Sequence, residues 1–294
     1  MEVGMEKRHK DSQTREKRQT KIILKRTTHM QKLVYILQPF VVYMVVKTVA
    51  MLVLALLVPA LPITGLATWI EQHSRQLSAA VNGVASMIAV YFVLNDFLIE
   101  VNISGEIDID KGIIRQFFRF LKKGFFGNDQ ICVGTEDEKR KRWSILHAVG
   151  CIVLGAIAAC ILNFLIGWIA TIIHNRGILG SQKYETVETI QYSVPLWMGI
   201  ILYGLISPMV EEMVFRGVLY GRIKRFYGVA KAVIFSSLLF GLFHANLPQF
   251  VYGSIMGGLI AVCYEYMGCF AAPVLVHMSA NIFVYLLTSV KFPV

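Results

Sequence analysis

The stretch Ile145–Ile173, ILHAVGCIVLGAIAACILNFLIGWIATII, contains no Asp, Glu, Lys or Arg. A hydrocarbon layer about 30 Å thick is crossed by about 20 mostly apolar residues in a helix. This run meets that requirement with residues to spare. Working outward, Phe40–Ala60 is a similar run, broken only by Lys47 and Thr48. Leu77–Leu98 is another, with polar Asn82, Asn95 and Asp96. Toward the C-terminus follow Val194–Leu219, Val229–Ala245, Phe250–Met267 and Phe270–Val290, the last three separated by very short gaps. The expected fold class is all-α, a polytopic transmembrane helix bundle of about seven spans.

Composition agrees. Of 294 residues, 55% are hydrophobic and only 16% charged, yet the formal net charge is +10. Mean hydropathy is +0.57. Such a chain is too oily to be disordered. Five cysteines are too sparse for a disulfide-stapled domain. No pair of Cys132, Cys151, Cys160, Cys263 and Cys269 has CxxC spacing, so neither a structural zinc site nor a redox pair is indicated.

Basic residues are enriched in cytoplasmic segments. With the N-terminus inside, segments 1–39, 99–144 and 220–228 hold 22 of the 29 lysines and arginines, among them the run Lys139–Arg142. That pattern predicts an integral membrane protein with N-terminus in and C-terminus out. Without organelle signals it points to a bacterial plasma membrane. The basic tail is read as a topological signal touching anionic lipid, and no nucleic-acid motif accompanies it. The first apolar run starts too late and is too long for a cleavable signal peptide.

Three regions are expected: a basic cytoplasmic tail (1–39), two variable spans with a charged cytoplasmic loop (40–144), and a five-span core (145–294). Within the loop, Arg115–Lys123 is basic and aromatic, fitting either an interfacial helix or a solvated loop. In the core, Gly253, Gly257 and Ala261 permit close helix contact.

Polar residues inside the spans carry the functional information, because ionisable groups there are costly unless paired or facing a cavity. Three clusters stand out: Ser207–Gly217 with Glu211, Glu212 and Arg216; Phe240–Asn246 with His244; and His277–Asn281. Glu212 and Arg216 are four apart, on one helix face, and suit an ion pair. Glu211 lies about 100° around the helix and has no such partner. A carboxylate held out of water binds a proton more readily, which suits a general base. His277 and Asn281 also share a face, and two aligned donors can hold an oxyanion. Each cluster alone is equally a helix-to-helix tie. Together they form the inventory for hydrolysing an amide with activated water. Neither GxSxG nor HExxH is present.

These three motifs, EExxxR at Glu211–Arg216, FxxxH at Phe240–His244 and HxxxN at His277–Asn281, resemble those of the CPBP family of CAAX prenyl protease 2 and bacteriocin-processing (Abi) membrane proteins. The resemblance covers about residues 193–288. It implies an intramembrane endopeptidase of glutamate type, although such proteins have been described as metalloproteases. By that resemblance Glu211 and His244 activate water, His277 and Asn281 stabilise the oxyanion, and Glu212 and Arg216 support the site. No cofactor is required. Zinc is the disfavoured alternative, and would use Glu211, His244 and His277. The expected partners are the bilayer and a peptide or protein substrate at the membrane, lipidated or not. Candidate roles are peptide maturation, bacteriocin processing or immunity, and CAAX-type processing. The alternatives are a non-catalytic membrane scaffold, and a small transporter with an ion path through Glu211, Asp96 and Lys47.

One expectation is awkward. Measured from span centres at 1.5 Å per residue, Glu211 and His277 lie roughly 6 and 4 Å toward the cytoplasm, but His244 lies roughly 7 Å toward the outside.

Overall fold

The computed structural model describes residues 28–101, 112–121, 143–175, 194–244 and 247–291. The chain divides into two compact units, Met1–Gln38 and Pro39–Val294, and all the candidate site residues belong to the second. The basic tail before residue 28, the loop run Lys139–Arg142, Cys132 and Asn246 lie outside the described residues.

Among the described residues every long element is helical and no strand occurs. The helices are α1 (His29–Leu57), α2 (Leu66–Gln72), α3 (Ser74–Val101), α4 (Ile113–Phe120), α5 (Ile145–Asn175), α6 (Leu196–Tyr227), α7 (Val229–Phe243), α8 (Leu247–Met267) and α9 (Ala271–Lys291). The all-α bundle read from the apolar runs is the fold. Six of these helices, α1, α3, α5, α6, α8 and α9, are long and apolar enough to cross a membrane. The fifth predicted run is different: α7 has only 15 residues. At 1.5 Å per residue it reaches roughly 22 Å, short of the hydrocarbon thickness. By length alone, the seven expected spans become six and a shorter helix.

Outward faces match a hydrocarbon solvent. Val41, Val45, Leu52 and Leu56 on α1, and Val149, Ile157 and Phe164 on α5, are exposed. Inside, helices approach closely where side chains are small. Gly253 of α8 meets Gly241 of α7, where an added Cβ would lie 3.2 Å from the Gly241 Cα. The small-residue stripe expected on α8 is therefore a contact surface, and Gly241 is its unforeseen counterpart. The Cys151 and Cys263 thiols, both buried and free, touch between α5 and α8 at 3.9 Å.

Helix α6 is not uniform. It widens to π-helical geometry over Ile200–Ile206 and again over Met213–Tyr220. Pro208 has no N–H to offer the carbonyl four residues back, which accounts for a disturbed ladder just before it. Between the two wide stretches lies the regular segment Ser207–Glu212, which carries both glutamates.

One end of the bundle is laced by charge. Arg222 of α6 pairs with Asp96 and Glu100 of α3. Arg225 reaches Glu100 at 2.6 Å. Lys224 reaches Glu265 of α8 at 2.7 Å, and the Tyr220 hydroxyl donates to the same carboxylate at 2.8 Å. The ends of α3, α6 and α8 therefore meet at one end of the bundle.

Beside this end, α4 docks on the bundle. Gln116 and Phe120 are buried, and the Phe120 ring packs edge-on against Phe97 at 5.2 Å and near Phe270 at 5.8 Å. Within the basic, aromatic stretch, Ile113–Phe120 is thus a packed helix rather than a solvated loop, and Lys122 and Lys123 lie outside the described residues. The turn before α9 lies beneath it, with Cys269 and Phe270 almost fully buried.

Candidate active site

Glu211, His244, His277 and Asn281 all line one cavity of about 460 Å³. Each arrives from a different local context. Glu211 sits on the regular turn of α6. His244 terminates α7. His277 and Asn281 are successive turns of α9.

The depth conflict concerned His244, and the shortness of α7 dissolves it: after only 15 residues its C-terminal end is still beside the shared cavity. His277, expected close to the depth of Glu211, stands next to it, with Nε2 3.8 Å from Oε2.

Glu212 and Arg216 form the expected ion pair at 2.7 Å, with both side chains fully buried. A buried pair must satisfy its remaining groups to be tolerable. The second guanidinium arm donates to the Gly257 carbonyl at 2.9 Å. Gly257 permits this approach, since a Cβ there would sit 3.2 Å from that arm. The guanidinium also lies 4.6 Å over the Phe240 ring, a favourable cation–π placement. Phe240 in turn meets His244 at 5.2 Å and His277 at 5.4 Å edge-on. The aromatic residue of the FxxxH motif therefore wedges three polar groups into position.

Glu212 has a second task. Its Oε1 accepts from His277 Nδ1 at 2.7 Å. A carboxylate already paired with arginine only accepts here, so the proton is on Nδ1, an assignment made from the hydrogen-bond network. His277 Nε2 then points toward Glu211, 3.8 Å from its Oε2. Glu211 also accepts from the Ser207 hydroxyl one turn before it.

His244 Nδ1 donates to the Phe240 carbonyl at 2.9 Å. A carbonyl can only accept, so the neutral ring carries its proton on Nδ1 and a lone pair on Nε2. Asn281 donates to the Tyr203 carbonyl at 3.0 Å. That bond fixes the amide and leaves a second N–H, since Asn281 makes no other hydrogen bond among the described residues.

Sequence reasoning joined Glu211 first to His244. The structure also sets a second imidazole against Glu211, that of His277, with Nε2 3.8 Å from Oε2. Sequence reasoning missed Ser207 as the donor to Glu211, although the spacing of four on one helix was readable. The clamp of Tyr203 on Asn281 had no local signal. Among the described residues, no three His, Cys, Asp or Glu side chains form a group that could hold a metal ion, and this includes Glu211, His244 and His277. Asp96, once considered for an ion path with Glu211 and Lys47, is paired with Arg222 and does not line the cavity.

With the geometry established, comparison with known proteins gives one clear match. Residues 193–283 match the type II CAAX prenyl endopeptidase Rce1-like family. This Rce1-like segment contains Glu211, Glu212, Arg216, His244, His277 and Asn281. Two curated relatives match as well. One is the "Putative membrane peptidase YdiL" of Bacillus subtilis, 26% identical over 125 residues, covering 38% of this chain and 50% of that protein. The other is the "Membrane-embedded CAAX protease MroQ" of Staphylococcus aureus, 29% identical over 110 residues, covering 35% of this chain and 44% of that protein. The chain thus spans about half the length of the curated relatives it matches. No solved structure matches the chain.

Proposed function

We propose that this protein is an intramembrane endopeptidase that hydrolyses a peptide bond in a membrane-associated peptide or protein. The observation that carries this reading is the convergence of Glu211, His244, His277 and Asn281 on one cavity. The Rce1-like match over the same residues supports it.

In this reading a water molecule attacks the carbonyl carbon of the scissile amide. Glu211 takes the water's proton and later delivers it to the leaving amine. His277 is a neighbour that can share this water, because hydrogen bonds of ordinary length from one oxygen can span groups 3.8 Å apart. Glu212 holds His277 in register, and Arg216 balances the charge of Glu212. The water's second hydrogen is donated to the Nε2 lone pair of either His277 or His244, and where His277 takes it, His244 Nε2 accepts from the substrate amide. The second N–H of Asn281 is the donor for the tetrahedral oxyanion. Ser207 fixes the Glu211 carboxylate.

The proposed step uses no metal. The proposed setting is a bacterial plasma membrane with the charged end of the bundle facing the cytoplasm, supported by the skew of basic residues. Peptide maturation, bacteriocin processing or immunity, and CAAX-type processing are all roles that this chemistry could serve.

The test is Glu211→Ala in protein shown to insert and fold, with cleavage of a membrane-associated peptide as readout. Loss of cleavage is expected, and unchanged cleavage refutes the mechanism. Activity that survives strong chelation is expected, and its loss with restoration by zinc refutes the metal-free step. A chain that binds a partner but cleaves nothing, with Glu211 intact, would be the scaffold instead.

A further inference from the structure

The mechanism leaves one charged group in the cavity unused. Lys47, on α1, lines the same cavity as Glu211 and His277. It is the one lysine or arginine among the described lining residues. A lysine in the middle of a membrane-crossing helix costs about 2.5–3.5 kcal/mol on insertion scales, so it faces a cavity or a partner. Lys47 has the cavity. Its Nζ lies 5.1 Å over the Phe243 ring and 5.9 Å from the Tyr43 ring centre. Both rings sit in fixed packing, 6.2 Å from each other, and they hold the ammonium by its cation–π attraction.

No carboxylate forms an ion pair with Lys47 among the described residues, although the Glu211 charge acts on its ammonium from beyond ion-pair distance. Glu211 is engaged by Ser207 and faces His277. Glu212 is engaged by Arg216 and His277. An ammonium held by aromatic walls and facing a cavity, without an anionic neighbour in contact, is a receptor for an anion brought by the ligand. Lys47 also lies outside residues 193–283, in the part of the chain that the Rce1-like match does not cover.

We propose that Lys47 is a binding subsite for a carboxylate of the bound peptide, either its C-terminal carboxylate or an Asp or Glu side chain. This rests on the reading of the cavity as a peptide-cleaving site. A peptide's anionic groups are carboxylates, and an ammonium contributes one strong charge-assisted bond without demanding a fixed orientation. Selection by this subsite acts on which peptides enter, and leaves the water-activating groups unchanged.

The experiment measures binding, so that it stands apart from cleavage. The full chain carrying His244→Ala, which slows cleavage but keeps the Glu211 charge beside Lys47, is titrated in detergent micelles with three dansyl-labelled peptides of one apolar sequence. The first ends in a free carboxylate, the second in an amide, and the third in an amide but with one internal Glu. At least one carboxylate form is expected to bind about tenfold more tightly than the neutral amide, the size of one good charge-assisted contact. Which form gains identifies the source of the carboxylate. Lys47→Met should erase that advantage while leaving the neutral peptide's affinity unchanged, and Lys47→Arg should keep most of it. Equal binding of all three peptides overturns the subsite. So does an advantage that persists in Lys47→Met, or an equal loss for every peptide in that variant. Cleavage by the parent chain separately decides the endopeptidase reading.

Discussion

The molecule has two clusters of charge inside its bundle, and they are built to opposite rules. At the charged end, Asp96, Glu100 and Glu265 meet Arg222, Lys224 and Arg225, acid against base, contact by contact. Around the cavity the matching is incomplete. Arg216 and Glu212 are mutually engaged, but among the described residues Glu211 is in contact with a hydroxyl and an imidazole and Lys47 with two rings, the two charges acting on each other only beyond ion-pair distance. Matched charges add little beyond holding helices together. Unmatched ones are expensive in hydrocarbon, and a protein that retains them beside a cavity retains them for a ligand. The two clusters therefore separate fold from chemistry, and substitutions can test that separation.

The largest expected effect is on the unmatched side. Removing the carboxylate in Glu211→Ala should lower kcat for peptide cleavage by about 10²–10⁴-fold, the usual contribution of a positioned general base. The melting temperature should stay near that of the parent, since among the described residues Glu211 forms no ion pair with a lysine or arginine. A fall in kcat accompanied by an equal collapse in melting temperature would erase the contrast.

Arg216 tests the boundary between the two kinds of cluster. Arg216→Met leaves Glu212 buried without its cation and frees the Gly257 carbonyl, so unfolding should become about 3–5 kcal/mol easier. Detergent-resistant thermal unfolding measures this. A double variant, Arg216→Met with Glu212→Gln, should recover part of the loss. No recovery would mean that Arg216 acts chiefly by packing on Phe240.

How much of this was legible beforehand follows from what is local. The helices of the bundle came from runs of apolar residues, a signal each segment carries by itself. The Glu212–Arg216 pair came from spacing along one helix, and so did the separation of Glu211 from it. The level of His277 beside Glu211 followed from counting along the helices, but the depth of His244 was not legible. It depends on how short α7 is within the bundle, which is a tertiary fact. The bridge from Glu212 to His277 joins residues 65 apart, and no helical period reports it. The basic residues at 222–225 were counted as topology. Their acidic partners on α3 and α8 became visible only in three dimensions, and Asp96 moved from a candidate ion path to a strut.

The matched end should be dispensable for chemistry. Arg222→Met takes one charged contact each from the buried Glu100 and from Asp96. Loss of charged hydrogen bonds of this kind costs roughly 1.5–3 kcal/mol. Thermal unfolding should show it, while kcat per folded molecule stays at the parent value. A large drop in kcat at full folding would make the two clusters one coupled system.

The smallest effect belongs to Lys224. Its pair with Glu265 is short, at 2.7 Å, but the two side chains keep 18% and 28% of their exposure. Ion pairs that remain in contact with water contribute about 0–1 kcal/mol, because hydration competes with the partner and long side chains lose freedom. Glu265 also keeps the Tyr220 hydroxyl at 2.8 Å, so Lys224→Met does not strand it. The variant should unfold within about 1 kcal/mol of the parent, and any difference should shrink as salt is added. Since Arg222 and Lys224 lie on the same turn of α6, a large loss in Arg222→Met beside a negligible one in Lys224→Met would place the strength of the matched end in burial rather than in the number of ion pairs.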